Sequence, residues 1–225
     1  TNFFFRHHIK YANLGAYESR ITPMTFAHFL SFRRPSICAV AGGLFACCVA
    51  ALITTALATP AVPDAPLRVV MDDNYPPYVM RDANGSVEGL LIDEWQLWEK
   101  KTGIKVNITA TDWAKAQQIM QAGDADVIDT IFLTPAREQL YDFTKAYADV
   151  PVGIYTHISI GVIYNLASLR GFMVGAKAGD ACIDKLSRFG ITTLKTYPNY
   201  QAMVDAAMTD LISVFCMDEP AASYL

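Results

Sequence analysis

The chain has 225 residues, of which 52% are hydrophobic and 18% are charged, and its formal net charge is -4. A mildly acidic chain offers no basic surface to a phosphate backbone, so composition excludes electrostatically driven nucleic-acid binding as the expected function. The mean hydropathy of +0.22 is high for a globular protein and directs attention to an apolar segment near the N-terminus.

That apolar segment, from Ile37 to Leu57, carries no charge and follows two arginines. It ends in Ala-Leu-Ala, so a basic flank, an apolar core and a small-residue exit match the three parts of a secretory signal peptide. A retained membrane anchor is the alternative, since about 20 apolar residues also span a bilayer. We therefore interpret 24–58 as a signal peptide or an anchor and 1–23 as an upstream tail before a start at Met24. The remainder is expected to be exported.

The first half of the exported sequence alternates between strand and helix patterns. Apolar runs bounded by turn residues predict strands over 67–71, 106–110 and 125–132. Helical spacing predicts helices over 90–101 and 113–121, each stopped by a glycine. The Asp-Ala-Asn-Gly stretch at 82–85 predicts a hairpin turn.

The alternation continues in the second half, with strands predicted over 171–176, 191–196 and 211–217 and helices over 181–189 and 200–208. Short connections between strands and helices predict an α/β protein with parallel sheets, and such sheets bind ligands at the carboxyl ends of their strands. The extended stretch 146–165 interrupts the pattern, and we interpret it as a crossover between two lobes.

One arginine stands in an unusual local setting. Thr134-Pro-Ala-Arg137 follows a strand that ends at Phe132, and a threonine before a proline is typical of a helix start. An arginine in the first turn opposes the helix dipole, so stability alone does not explain it. A guanidinium beside free N–H groups suits a clamp for a carboxylate. An ion pair with Glu138 or Asp142 is the alternative.

Several acidic residues follow predicted strands. Asp72 and Asp73 could bind a metal or transfer protons, or simply lie in a solvated turn with capping carboxylates. Asp218 could pair with an ammonium group in a cleft or cap the next helix. Asp180 is a candidate N-cap in a turn whose backbone N–H groups favour an anion, and Lys177 could counter it or reach the ligand.

The sequence carries no nucleophile–base motif and no zinc-ligand spacing, so we predict a protein that is not an enzyme and needs no metal or cofactor. Of the five cysteines, only Cys182 and Cys216 lie outside the apolar segment. In an oxidising compartment, two cysteines suggest one disulfide. Two buried free thiols are the alternative.

Four segments together resemble the family 3 extracellular solute-binding proteins of the polar-amino-acid type, in the order and spacing of that family. They are LRVVMDDNYPPYVMRDANGSVEGLLIDEW, GDADVIDTIFLTPAREQLYDFTKAY, LRGFMVGAKAGDACID and VFCMDEPAASYL, which span Leu67 to Leu225. The resemblance implies a type II periplasmic-binding-protein fold, in which two α/β lobes close on a small ligand like a flytrap. Lobe 1 would comprise 67–145, the hinge 146–165 and lobe 2 166–225.

The resemblance also implies the ligand-binding residues. Arg137 matches the arginine that clamps an α-carboxylate, and Asp218 matches the second-lobe aspartate that takes an α-amino group. Phe132 departs from the family, which often has a small or hydroxyl residue there, and is expected to narrow the pocket or add an aromatic wall. The other matching positions are Asp73, Tyr75, Trp113, Lys177, Asp180 and Ala181.

The implied function is periplasmic binding of an amino acid or related carboxylate, without a cofactor. The partner would be an ABC-type membrane transporter or, for a sensor ahead of a diguanylate cyclase or histidine kinase, the chain's own transmembrane and output domains. The alternative is an enzyme on the same scaffold, resembling a lytic transglycosylase or a cyclohexadienyl dehydratase. Because the family continues beyond the position of Leu225 to complete lobe 1, we expect the chain to be truncated at its C-terminus.

Overall fold

The structure is a computed structural model that describes residues 9–12, 25–27, 65–161 and 163–225. The segment 24–58 was predicted as a signal peptide or anchor, and its apolar run 37–57 lies outside these ranges, whereas its residues 25–27 are described and form a strand. Within them, no helix is both long and apolar enough to cross a membrane.

The strands are, in chain order, β1 (Ile9–Ala12), β2 (Thr25–Ala27), β3 (Leu67–Asp72), β4 (Met80–Arg81), β5 (Val87–Glu88), β6 (Val106–Thr111), β7 (Val127–Ile128), β8 (Ile131–Phe132), β9 (Ala146–Asp149), β10 (Val152–His157), β11 (Val174–Lys177), β12 (Leu194–Tyr197) and β13 (Val214–Asp218). The helices are α1 (Leu90–Thr102), α2 (Trp113–Ala122), α3 (Ala181–Arg188), α4 (Tyr200–Met208) and α5 (Glu219–Tyr224).

The first lobe is built on a parallel sheet with β3 between β6 and β7. Both faces of β3 are buried, because its side chains alternate between two cores. Val69 and Met71 pack with Leu91 and Trp95 of α1, whereas Val70 packs with α2 on the opposite face. A parallel sheet covered by helices on both sides explains the continuous apolar run in this strand. The predicted hairpin is confirmed by the antiparallel pair β4–β5.

The second lobe contains a five-stranded sheet in the order β1-β10-β13-β11-β12. Strands β11, β12 and β13 are parallel, and β10 joins β13 in antiparallel register. Helix α3 covers one face, where Leu186 packs against Val174 and Val214, and α4 covers the other, where Met203 packs against Phe215. The predicted alternation of strands and helices is confirmed.

The crossover segment contributes strands to two sheets. Strand β9 belongs to a small antiparallel sheet in which β2 lies between β8 and β9. Strand β10 then enters the second lobe's sheet beside β13. Residues 9–12, which lie in the segment predicted as an upstream tail, form the edge strand β1 next to β10.

The predicted strand over 125–132 is divided in two, which corrects that prediction. Asp129 and Thr130 separate β7 from β8, and Thr130 has a φ of 62°, which a β-branched residue rarely adopts. The break is held by the buried carboxylate of Asp129, which accepts hydrogen bonds from Trp95 Nε1 at 2.7 Å, Tyr147 Oη at 2.8 Å and the backbone N–H of Thr130 at 2.7 Å.

Candidate functional site

The carboxyl ends of the strands in the two lobes face each other across a small, narrow cavity. All of its lining residues are buried. They are Asp72, Tyr75, Trp113, Thr130, Phe132 and Arg137 of the first lobe and Lys177, Asp180, Ala181 and Asp218 of the second. The cavity therefore brings together eight of the nine predicted ligand-binding residues.

Asp73 is the predicted residue that does not line the cavity, and Asp72 lies there instead. As the last residue of β3, Asp72 points into the interior, whereas Asp73 turns outward and pairs with Arg81 at 2.8 Å. The two aspartates therefore have separate partners and do not act as one unit. No group of three possible metal ligands occurs in the described part of the chain.

Arg137 is buried, in a short 3-10 turn over Arg137–Gln139 that begins after Thr134. The hydroxyl of Thr134 accepts the backbone N–H of Arg137 at 3.3 Å, which fits the predicted cap, although the turn does not continue into an α-helix. The guanidinium donates to the carbonyl of Phe132 and to the carbonyl of Gly179, both at 2.9 Å. Among the described residues it forms no ion pair with Glu138 or with Asp142.

The electrostatics of Arg137 follow from this position. Its burial lowers the pKa of the guanidinium, while the negative charge of Asp180 opposes that shift. Its guanidinium carbon lies 5.6 Å from the centre of the Trp113 ring, within the range of a cation–π interaction. The hydrogen-bond acceptors of this guanidinium within the described residues are neutral carbonyls. Its positive charge is therefore available to an anionic ligand.

Three first-lobe side chains converge on the Gly179 carbonyl of the second lobe. Trp113 Nε1 donates at 3.0 Å and Gln117 Nε2 at 3.1 Å, in addition to Arg137. Gly179 has a φ of 75°, a left-handed conformation that favours glycine. Gln117 was not predicted, but it lies four residues after Trp113 and therefore on the same face of α2.

Lys177 and Asp72 form a buried ion pair between the lobes, with 2.8 Å between Nζ and Oδ2. Burial opposes the charge of Lys177, but the carboxylates of Asp72, Asp180 and Asp218 outweigh it, so the pKa of Lys177 lies above its usual value. The Lys177 ammonium also lies 3.9 Å from the centre of the Tyr200 ring. Lys177 therefore meets the first lobe and does not simply counter Asp180.

Asp180 caps α3, as predicted. Its Oδ1 accepts the backbone N–H of Cys182 at 2.8 Å, and its Oδ2 accepts the hydroxyl of Tyr200 at 2.7 Å. The predicted disulfide between Cys182 and Cys216 is present. It joins the first turn of α3 to β13, the strand that ends at Asp218. The disulfide thereby links the two segments that carry Asp180 and Asp218.

Asp218 stands at the N-cap position of α5, but its side chain makes no capping hydrogen bond and faces the cavity, which resolves the two alternatives for this residue. Its Oδ2 accepts the hydroxyl of Tyr75 at 2.8 Å, while its buried Oδ1 has no hydrogen-bond partner within the described residues. Burial and the charge of Asp180 raise the pKa of Asp218 to about 7, although Lys177 and the hydroxyls of Tyr75 and Tyr200 oppose the shift. An unpaired buried carboxylate oxygen is unusual and suits a donor from a ligand.

Comparison with known proteins gives one family match. The profile of the bacterial extracellular solute-binding proteins, family 3, matches residues 67–214. A solved histidine kinase sensor domain with similarity to periplasmic binding proteins is 21% identical, with a TM-score of 0.67 over 71% of this chain and 70% of that chain.

Two other solved structures have a similar fold. An ancestral amino acid-binding protein, a precursor of cyclohexadienyl dehydratase, is 24% identical, with a TM-score of 0.63 over 71% of this chain and 72% of that chain. An amino acid ABC transporter substrate-binding protein from Streptococcus pneumoniae, bound to L-arginine, is 24% identical, with a TM-score of 0.61 over 70% of this chain and 68% of that chain.

Proposed function

Because the chain belongs to the bacterial extracellular solute-binding proteins of family 3, we propose that it binds a zwitterionic amino acid or a related carboxylate between its lobes. The observation that carries this proposal is the pair of complementary charged groups at opposite walls of the cavity. Arg137 of the first lobe presents a buried guanidinium, and Asp218 of the second presents a carboxylate oxygen without a donor among the described residues. A carboxylate and an ammonium on one small molecule satisfy both.

The residues around these two groups support a binding role. Arg137, as proposed, clamps the α-carboxylate by two parallel hydrogen bonds, for which a guanidinium is well shaped. Asp218 accepts the α-ammonium, and Tyr75 holds the carboxylate of Asp218 in place. Trp113 and Phe132 supply apolar walls between the two charged positions.

The contacts between the lobes support a closing motion around the ligand. Arg137 reaches Gly179, Lys177 reaches Asp72, and Tyr75 reaches Asp218, so three of the cavity's polar contacts join one lobe to the other. We propose lobe 1 over 67–145, a hinge over 146–165 and lobe 2 over 166–225. The ligand then links the lobes through Arg137 and Asp218.

We propose that ligand binding serves either transport or sensing in the periplasm. The fold shared with an ABC transporter substrate-binding protein supports transport, and the fold shared with a histidine kinase sensor domain supports sensing. Sequence beyond Leu225 distinguishes them. A transmembrane helix followed by a cyclase or kinase domain would support sensing. A stop codon soon after the residues that complete lobe 1 would support transport.

An enzyme on the same scaffold is the second candidate, because one structure of similar fold is a precursor of cyclohexadienyl dehydratase. Binding is preferred because two of the three cavity carboxylates are already engaged. Asp72 pairs with Lys177, and Asp180 accepts two hydrogen bonds. Release of product from prephenate-like acids by the purified protein would favour the enzyme.

The proposed function is tested by a thermal-shift screen against amino acids and small carboxylates, since a ligand that binds the native state raises the melting temperature. Arg137→Ala is expected to abolish the shift of every carboxylate hit. Arg170→Ala is the matched control, because Arg170 is exposed and does not line the cavity. An equal shift in Arg137→Ala and in the wild type would reject the clamp.

A further inference from the structure

The ammonium of Lys177 lies in a site built for a cation. It is 2.8 Å from Asp72 Oδ2, and the ring centres of Tyr200, Tyr75 and Trp113 lie 3.9, 5.0 and 6.0 Å away. A carboxylate and several aromatic rings around an ammonium are the arrangement with which proteins recognise cationic ligands. Here a residue of the protein itself occupies that site.

We propose that Lys177 is an internal substitute for a ligand's cationic side chain, so that the cleft excludes basic amino acids and selects those with an uncharged side chain. The inference rests on the proposed function and names the ligand class of the same cleft. Tyr200 shares the second lobe with Lys177, whereas Asp72, Tyr75 and Trp113 belong to the first, so Lys177 meets the first-lobe part of the site only when the lobes come together.

The exclusion of a basic side chain follows from the acceptors that line the cavity. Asp72 accepts Lys177 with one oxygen and the backbone N–H of Asn74 with the other. Both oxygens of Asp180 are engaged, so Asp218 Oδ1 is the cavity carboxylate oxygen that lacks a donor among the described residues. That oxygen takes the α-ammonium. The cation of a basic side chain would lie near the ammonium of Lys177, and no cavity carboxylate would be left to pair with it. Burying an unpaired charge in this way is costly.

The charges that line the cavity also exclude a ligand with an acidic side chain. Arg137 and Lys177 are the two cations among the cavity's lining residues, and three carboxylates line it with them. Arg137 is used by the α-carboxylate, and Lys177 is already paired with Asp72. A second ligand carboxylate would therefore face a net negative wall.

The test compares the wild type with Lys177→Ala, which empties the aromatic site but leaves Asp72 in it. Lys177→Arg keeps the charge and is the matched control. The double variant Asp72→Asn/Lys177→Ala keeps the rings and removes the carboxylate. Isothermal titration measures L-alanine, L-serine, L-lysine and L-arginine. Thermal shift measures n-butylammonium, a cation that cannot use Arg137.

In the wild type, the neutral amino acids are expected to bind at least about tenfold more tightly than the basic ones, and Lys177→Ala is expected to reduce that ratio by about tenfold or more. Butylammonium is expected to raise the melting temperature of Lys177→Ala alone. The Lys177→Arg and double variants are expected to show neither change, because one keeps a cation in the site and the other lacks its counter-charge.

Two results would overturn the inference. One is tighter binding of L-lysine or L-arginine than of the neutral amino acids by the wild type, which decides the matter even if Lys177→Ala does not fold. The other is an unchanged selectivity in folded Lys177→Ala without a response to butylammonium. If no amino acid binds the wild type while butylammonium stabilises Lys177→Ala, the proposed function fails and the cation site of Lys177 stands.

Discussion

Replacing Asp218 by asparagine should change how stability depends on pH. Burial and the neighbouring Asp180 raise the pKa of Asp218 from 3.8 to about 7 in the folded chain. Between those values the folded state holds the proton on Asp218 more often than the unfolded state does. The free energy of unfolding therefore falls as pH rises through this window. An asparagine side chain does not titrate, so the Asp218→Asn variant lacks this loss.

The size of the effect follows from the pKa difference. Each pKa unit corresponds to about 1.4 kcal/mol, so a rise from 3.8 to about 7 corresponds to at most about 4 kcal/mol. Without ligand, the free energy of unfolding of Asp218→Asn minus that of the wild type should increase by a few kcal/mol between about pH 4 and pH 8. A ligand ammonium that pairs with Asp218 should reduce this difference.

Urea denaturation followed by circular dichroism at several pH values measures the effect. Asp184→Asn is the matched control, because Asp184 belongs to the same lobe and does not line the cavity. Parallel stability profiles for the wild type and Asp218→Asn would refute the reasoning, since they would mean that the carboxylate of Asp218 titrates alike in the folded and unfolded chains.

Two further predictions concern the disulfide and the glycine that hold the second-lobe side of the site. Cys182→Ser/Cys216→Ser should lower the free energy of unfolding by about 4 kcal/mol, because the disulfide closes a loop with a sequence separation of 34; equal denaturation midpoints for this variant and the wild type would contradict the prediction. Gly179→Ala should cost about 1–2 kcal/mol for its left-handed backbone, because the nearest atom to an added Cβ is the flexible end of the Gln117 side chain, which can move aside. Gly161→Ala, which has no left-handed backbone and whose Cβ meets nothing, is the control in the same denaturation series, and equal losses would contradict the predicted backbone strain.

The parts of the fold that sequence predicted best are those with a local physical signal. Helix α4 has the predicted bounds because Asn199 caps its start and apolar residues recur along one face. The strand predicted over 125–132 was wrong at its centre. Its break depends on Asp129, whose partners Trp95 and Tyr147 are far away in sequence. No local pattern reveals such a partner.

The site residues were predicted from motif positions. The errors among them, like the error in the strand over 125–132, arise because local sequence does not reveal three-dimensional contacts. Asp72 and Asp73 are adjacent in sequence, and only the direction of β3 decides which of them points inward. Gln117 was missed because its contact with Gly179 depends on the position of one lobe against the other. Tyr200 was missed because only the fold of the second lobe brings it to Asp180 and Lys177. Cys182 and Cys216 were paired correctly because residues 67–225 contain two cysteines and thus one possible pair.

The most direct test of the proposed function is isothermal titration of the full chain with its best amino acid ligand and two analogues of that ligand. One analogue has a carboxamide in place of the carboxylate, and the other lacks the amino group. If Arg137 binds the carboxylate and Asp218 the ammonium, each analogue should bind at least about tenfold more weakly, since each leaves a buried charge unpaired. Undiminished binding of either analogue would contradict the proposed zwitterion site.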